Sequence, residues 1–202
     1  MDSVSGTRGY EDVIDAFIEV SQALDFAEIN KDFLDFLPPI PSCVLDAGAG
    51  AGQNAAALAR MGYSVVAVEP FAAFLDAGRS HYKDLNITWI QDSLPLLQTL
   101  GDSSEPFDFI LVDGVWHHLD EEERERCMAR FSTLLSKGGV CAMSLRHGPA
   151  GAGKHVFPTD GQKTALLARR YGLRVALHLT NQPSKMRNKP GVTWTRMVFR
   201  LA

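Results

Sequence analysis

The sequence predicts an α/β domain built on a doubly wound, largely parallel sheet in which one strand is reversed. Three observations predict it. Short apolar runs alternate with helical stretches from residue 43 onward. A glycine loop, Asp46-Ala47-Gly48-Ala49-Gly50-Ala51-Gly52, follows the first of those runs and opens a helix. The last two apolar runs are joined by a loop alone, which is too little chain for a parallel crossover and forces an antiparallel pair. A length of 202 residues suits one domain. We divide it into a helical cap over residues 1–40 and a sheet core over 41–202.

Each element has its own signal. Val13, Phe17, Val20 and Leu24 recur at helical spacing, and Phe33, Phe36 and Leu37 continue the pattern until Pro38-Pro39 ends it. Residues 43–45 read as a buried strand, 53–61 as an alanine-rich helix, and 64–68 as the next strand. A helix over 71–81, a strand over 87–90 and a short helix over 93–100 follow. Residues 107–112 are strongly apolar and strand-like, and 120–135 form a long helix running from acidic to basic. Gly138-Gly139 reads as a turn into a strand over 140–145. Residues 159–171 read as a helix and 173–179 as a strand. Residues 182–191 form a polar loop with two prolines. The last strand, 192–201, alternates well through Val192, Trp194, Arg196, Val198 and Arg200.

Composition narrows the class. Hydrophobic residues make up 46% and charged residues 22%, an ordinary globular balance with enough apolar surface to bury both faces of a sheet. The first residues lack a basic segment followed by an apolar run, and no apolar stretch approaches the roughly 18 residues of a membrane helix. The three cysteines, Cys43, Cys127 and Cys141, form neither a metal pair nor a disulfide framework. A cytoplasmic protein without a membrane anchor is therefore expected. Net charge is −4 but lopsided: residues 1–125 hold 23 Asp/Glu and 6 Lys/Arg, whereas 126–202 hold 14 Lys/Arg and a single acid, Asp160. Solvated helix faces of differing sign are one reading, and a C-terminal part facing an anionic substrate is the other.

The strand ends carry the chemistry. Ligands of such sheets bind at the carboxyl ends of the strands. There Gly48, Gly50 and Gly52 let the backbone turn and approach a ligand closely. An amide-rich helix start can receive a carboxylate, while Asp46 can receive an ammonium group, a pairing that matches a free amino acid. Glu69 ends the second strand and can accept both hydroxyls of a ribose. Asp92-Ser93 ends the third strand, where a polar side chain can meet an adenine amino group. Asp113-Gly114 closes the fourth. Any one of these acids could be a helix cap or turn residue, but four on one sheet edge form a set.

Those residues resemble class I S-adenosylmethionine-dependent methyltransferases of the small-molecule type. Val44 to Gly52 is similar to the first motif of that family, and Val65-Val66-Ala67-Val68-Glu69-Pro70 to its ribose-binding motif. Gln91-Asp92-Ser93 resembles the adenine-contacting position. Phe107 to Asp113 followed by Trp116-His117-His118-Leu119 resembles the fourth motif, and Leu134 to Val140 the turn before the fifth strand. The resemblance covers residues 40–202. It implies a Rossmann-like, seven-stranded mixed sheet with the last strand antiparallel, and N-terminal helices that cover the cofactor. It also implies S-adenosyl-L-methionine held by Asp46, Gly48, Ala49, Gly50, Gly52, Asn54, Glu69, Pro70, Asp92, Ser93, Asp113, Gly114, Val115 and His118.

Rival readings keep a place. Gly50-Ala51-Gly52-Gln53-Asn54-Ala55 fits a permissive dinucleotide pattern, so an NAD(P)-dependent oxidoreductase is the alternative enzyme, although Asp46 would then repel the pyrophosphate. A non-catalytic adenosylmethionine-binding module is the alternative of another class. Gly148-Pro149-Ala150-Gly151-Ala152-Gly153-Lys154-His155 nearly spells a nucleoside-triphosphate loop, but His155 stands where Ser or Thr would hold magnesium, and Phe157-Pro158 follows in place of a helix. No metal site is expected.

Methyl transfer from an activated donor asks the protein mainly to position the acceptor and, where needed, to take its proton. His117, His118, Arg146 and His147 are the acceptor-side candidates: Arg146 for an anion, His147 as a base near neutrality, and His117 and His118 for their place just past the fourth strand end, near the transferable methyl. Arg146, Lys154, Lys185, Arg187 and Lys189 favour a small anionic acceptor. Sparse aromatic interleaving argues against a nucleic-acid partner. Arg8 and Tyr10 belong to a segment that either folds over the cofactor or trails as a tail. The motifs leave the acceptor atom and the oligomeric state open.

Overall fold

The computed structural model describes residues 4–101, 105–186 and 189–202, so Arg187 of the expected basic rim lies outside the described residues. Helices α1 (Ile14–Gln22) and α2 (Phe26–Ile29) and a 3-10 turn at Lys31–Phe36 precede the sheet. Then come β1 (Cys43–Ala47), α3 (Gln53–Arg60), β2 (Ser64–Val68), α4 (Ala72–His81) and β3 (Ile87–Ile90). The second half is β4 (Phe107–Val112), α5 (Glu121–Leu134), β5 (Leu135–His147), α6 (Gly161–Arg170), β6 (Leu173–Pro183) and β7 (Thr193–Leu201).

The seven strands lie in the order β3-β2-β1-β4-β5-β7-β6. Pairs among the first five are parallel, whereas β7 runs antiparallel to both β5 and β6. The expected mixed sheet with a reversed last strand is therefore present. The order reverses between β1 and β4, and the crevice of an open α/β sheet sits at such a switch point. Because β7 runs backwards, its first residues share the edge reached by the carboxyl ends of β1 to β5.

Strand alternation sorts side chains into two cores. Leu45, Ile110, Val112, Cys141 and Met143 face α5, whose Met128 and Phe131 complete that layer. Val44, Phe109, Leu111, Ala142 and Val198 face the other way, against Phe26, Phe33 and Leu58. Successive residues of a strand point to opposite faces, so a run such as Phe109-Ile110-Leu111-Val112 must be apolar throughout.

Three elements differ from expectation, the first being the strand expected over 173–179, which runs on through Gln182 and Pro183 where a loop is expected. Residues 93–100 form only a 3-10 turn at Gln98–Leu100, because Pro95 lacks a backbone donor and Leu97 takes a left-handed φ of 48°. Gly138-Gly139 is a bulge inside β5 rather than a turn before it. The β4–β5 pairing jumps from Phe107–Leu135 to Phe109–Val140, and Gly138 has φ 77°. Helix α5 starts on a capping box: Glu123 N–H donates to Asp120 Oδ1 and Asp120 N–H to Glu123 Oε2, each at 2.8 Å.

Candidate functional site

A cavity of about 680 Å³ opens at the carboxyl edge of the sheet, beside the switch point. The glycine loop forms its floor. Gly48 and Ala49 donate their N–H groups to the Val68 carbonyl, each at 2.9 Å, which ties the loop to the end of β2. Side chains are excluded here: a Cβ on Gly48 would stand 2.5 Å from Val115 Cγ2, and one on Gly52 would stand 2.2 Å from the Trp89 ring.

Most expected ligand-holding residues line this cavity. Gly48, Ala49, Gly50, Asn54, Glu69 and Pro70 do so from the β1 and β2 ends, and Asp92 and Ser93 from the β3 end. Asp113, Gly114, Val115 and His118 line it from the β4 end. Asp46 and Gly52 do not. Gly52 backs onto Trp89, and Asp46 is 1% exposed beneath the loop, with Oδ2 lacking a hydrogen-bond partner.

The acids at this edge are held out of water. Burial and the neighbouring charge of Asp113 push the Asp46 carboxyl up to about 8. Glu69 is raised to about 7 by burial, which outweighs the lowering by two backbone donors. Those donors are Gly50 N–H to Oε2 at 2.9 Å and Phe71 N–H to Oε1 at 2.8 Å. Each carboxylate oxygen keeps a further lone pair for a ligand hydroxyl. Asp92 is likewise engaged, accepting from Ser93 N–H and Thr99 N–H at 2.7 Å. Glu69 and Asp113 at the cavity wall suit a cationic or hydroxyl-rich ligand and oppose a pyrophosphate.

Under the cavity a closed ring of polar side chains joins four parts of the chain. Arg196 Nη1 donates to Asp113 Oδ1 at 3.2 Å, and Arg196 Nη2 to Asn30 Oδ1 at 2.7 Å. Asn30 Nδ2 donates to Asn54 Oδ1 at 3.2 Å, and Asn54 Nδ2 returns to Asp113 Oδ2 at 3.4 Å. Ser144 Oγ also donates to Asp113 and accepts from Gly114 N–H. Arg196 is 5% exposed and lies over the Phe33 ring, 4.1 Å from its centroid. No sequence motif points to Asn30, Ser144 or Arg196, although an arginine amid the alternating residues of β7 is a readable signal.

The acceptor-side candidates separate. His117, His118 and Arg146 line the cavity, whereas His147 does not. Parity explains this: Arg146 and His147 are successive strand residues and point to opposite faces. His147 Nε2 instead lies 2.8 Å from Thr195 Oγ1 and Nδ1 lies 3.3 Å from Thr159 Oγ1. Burial, with His118 and Arg146 nearby, drives His117 down to about 2, and its Nδ1 has no hydrogen-bond partner. His118 is lowered too, chiefly by burial. Its Nδ1 lies 2.8 Å from the His155 carbonyl, which can only accept, so the proton sits on Nδ1 and Nε2 keeps its lone pair.

That lone pair meets the N-terminal segment. The Tyr10 hydroxyl lies 3.3 Å from His118 Nε2 and is the donor of this contact. Tyr10 packs edge-on against Phe17 and Phe74, and burial beside Glu69 raises its phenol to about 12. The loop after β5 clasps the same segment. Lys154 N–H donates to the Arg8 carbonyl at 2.8 Å, and Lys154 Nζ pairs with Asp12. Gly153 sits so close that a Cβ there would stand 2.4 Å from His118 Cε1. The near-match to a nucleotide loop is thus a contact surface for residues 8–12.

Among the described residues no cluster of His, Cys, Asp and Glu could hold a metal ion, and no helix is long and apolar enough to cross a membrane.

Comparison with known proteins finds methyltransferases among both the sequence relatives and the solved structures. A family profile described as a methyltransferase domain matches residues 44–139. An uncharacterized methyltransferase of Mycobacterium bovis is 31% identical over 130 residues, covering 60% of this chain and 64% of that protein. Among solved structures, a TehB-like SAM-dependent methyltransferase from Corynebacterium glutamicum superposes with TM-score 0.70 at 20% identity, covering 95% of this chain and 97% of the other. A 1,6-didemethyltoxoflavin-N1-methyltransferase from Burkholderia thailandensis, crystallised with S-adenosylhomocysteine and its acceptor, superposes with TM-score 0.68 at 19% identity, covering 96% and 84%. The chain spans less than two thirds of the length of the curated relatives it matches, and 43% of one from Anoxybacillus flavithermus.

Proposed function

We propose that this chain, a class I S-adenosylmethionine-dependent methyltransferase by family and fold, transfers a methyl group to a small anionic acceptor. The observation that carries the donor half is the buried, unpartnered Asp46 Oδ2 under a glycine cradle, with Glu69 at the next strand end. A cradle without side chains leaves room for an amino-acid tail, and the buried Asp46 carboxyl beneath it keeps an oxygen without a partner, so hydrogen-bonding capacity is left over at the loop. The residues present therefore fit the cofactor.

Gly48, Ala49, Gly50 and Gly52 shape the cradle around the amino-acid part, and Asp46 supports the loop from beneath. Glu69, with Pro70 beside it, accepts the ribose hydroxyls. Asp92 and Ser93 face the adenine. Asn54, Asp113, Gly114 and Val115 fix the wall between donor and acceptor. Bound S-adenosyl-L-methionine supplies an already activated methyl group, so the remaining work is placement and proton removal. Arg146 attracts the acceptor's negative charge. His118, held in the Nδ1–H tautomer by His155, accepts from the Tyr10 hydroxyl at Nε2, so a proton leaving the acceptor reaches it through Tyr10, and buried His117 walls the cavity beside it. His147, turned to the opposite face, has no part in this scheme.

Direct titration tests the reading. S-adenosylhomocysteine is expected to bind in the micromolar range and NAD(H) not at all. Binding of NAD(H) alone would defeat the proposal. Incubation with methyl-labelled donor and a panel of small organic acids then tests transfer.

A further inference from the structure

The sheet register builds a second row of side chains one pleat above the polar ring. Ser144 of β5 lies opposite Arg196 of β7, and both bind Asp113. Two residues further along each strand, on the same face, Arg146 lies opposite Trp194, and Trp194 in turn lies opposite Gln182 of β6. Directly paired residues bring their Cβ atoms within about 4.5–5.5 Å. The result is a continuous row, guanidinium, indole and amide, and all three line the cavity.

Two properties of that row point to a ligand. Arg146 has no hydrogen bond or ion pair from its guanidinium among the described residues, and its partial desolvation lowers its pKa. The nearby acids are spoken for: Asp113 and Asp32 face Arg196, and Glu69 accepts two backbone amides. A half-buried cation without a partner is costly and is relieved by an anion. Trp194 reaches from the row toward the donor loop. Its Cη2 would stand 4.0 Å from a Cβ on Gly114, and its ring meets His117 edge-on at 6.5 Å between centroids. Lys185, from the loop between β6 and β7, adds positive charge to the rim.

We infer that Arg146 and Trp194 form the acceptor subsite for an aromatic carboxylic acid. The acid group pairs with the guanidinium, and the planar ring lies along the indole, which carries it toward Gly114 and the donor. An aliphatic acid would satisfy Arg146 and leave the indole face unused, and a neutral arene would do the reverse. The inference rests on the methyltransferase reading, since it assigns the second half of the same cavity.

Calorimetric titration of the full chain, saturated with S-adenosylhomocysteine, tests it. The probes are 4-hydroxybenzoate, salicylate and indole-3-carboxylate, with 4-hydroxybenzamide and cyclohexanecarboxylate as controls. At least one arene carboxylate is expected to bind about tenfold tighter than the amide, the scale of a charge-assisted pair. It should also bind about three- to tenfold tighter than the saturated acid. Arg146→Gln should abolish the first preference, and Trp194→Leu the second, each with S-adenosylhomocysteine affinity unchanged. Preferences that survive both substitutions, or failure of every arene carboxylate to bind at millimolar concentration while S-adenosylhomocysteine binds, would overturn the subsite. Failure of S-adenosylhomocysteine itself to bind the wild-type chain would instead overturn the donor reading beneath it.

Discussion

The Tyr10 hydroxyl and His118 Nε2 stand 3.3 Å apart, across 108 residues of chain. Tyr10 belongs to the segment before α1, and His118 follows the end of β4. Their contact closes the N-terminal segment over the cavity and gives the histidine lone pair a partner inside it.

Tyr10→Phe removes that donor and keeps the ring packing against Phe17 and Phe74. Turnover is expected to fall on the order of tenfold, the scale of one hydrogen bond at ~0.5–1.5 kcal/mol. S-adenosylhomocysteine affinity should change little. Steady-state kinetics combined with calorimetry separates the two, and an unchanged turnover would remove Tyr10 from the site.

Asp46 gives stability a pH dependence. Its folded pKa of about 8 lies far above the ordinary ~3.9 of an unfolded aspartate. Between those values the folded chain keeps a proton that the unfolded chain has lost. The associated stability is full below about pH 4 and disappears as pH rises through about 8. Asp46→Asn is insensitive to this, so its stability relative to wild type should climb between about pH 5 and about pH 8. Urea unfolding across that range measures it, and a constant difference would contradict the raised pKa.

Arg196→Met leaves Asp113 without its cation and breaks the ring through Asn30 and Asn54. Loss of one partner of a buried ion pair costs about 3–5 kcal/mol. The polar ring also holds α2 against the sheet, because Arg196 Nη2 donates to the Ile29 carbonyl at 3.0 Å. Faster proteolysis before residue 37 should accompany the lower unfolding midpoint. A loss under ~1 kcal/mol would show that the ring contributes little to stability.

Glycines separate by what surrounds them. Gly138 has φ 77° with nothing within 4 Å of its Cβ position, so Gly138→Ala bears only the left-handed penalty of about 1–2 kcal/mol. Gly52 has φ 86° and the Trp89 ring at 2.2 Å, so Gly52→Ala adds overpacking of about 1–3 kcal/mol. Denaturation midpoints should rank Gly52→Ala well below Gly138→Ala, and the opposite order would refute the steric account.

What could be read from the chain without coordinates is local in origin. Periods of 2 and 3.6 residues reveal strands and helices, and glycines after a strand reveal a loop that must admit a ligand. The reversed β7 was legible because only a polar loop without a helix, residues 182–191, joins it to the strand before it, and a parallel crossover needs more chain. The cavity-lining acids Glu69, Asp92 and Asp113 were legible because each follows a strand end, and topology sends those ends to one edge. The turn at residues 93–100 was misread because Leu97's left-handed backbone has no signature in its side chain.

The sequence by itself therefore determined the mixed sheet with its reversed last strand and the glycine loop from Asp46 to Gly52. Only the tertiary structure decided which neighbours share a space. It turned His147 away from the cavity while keeping Arg146 in it, since strand parity matters only once one face is known to line the site. It sank Asp46 beneath the loop, joined Arg196 to Asp113 across 83 residues, and brought Tyr10 to His118. Contacts at such separations depend on how layers pack, and packing is a property of the whole chain that no short window of residues contains.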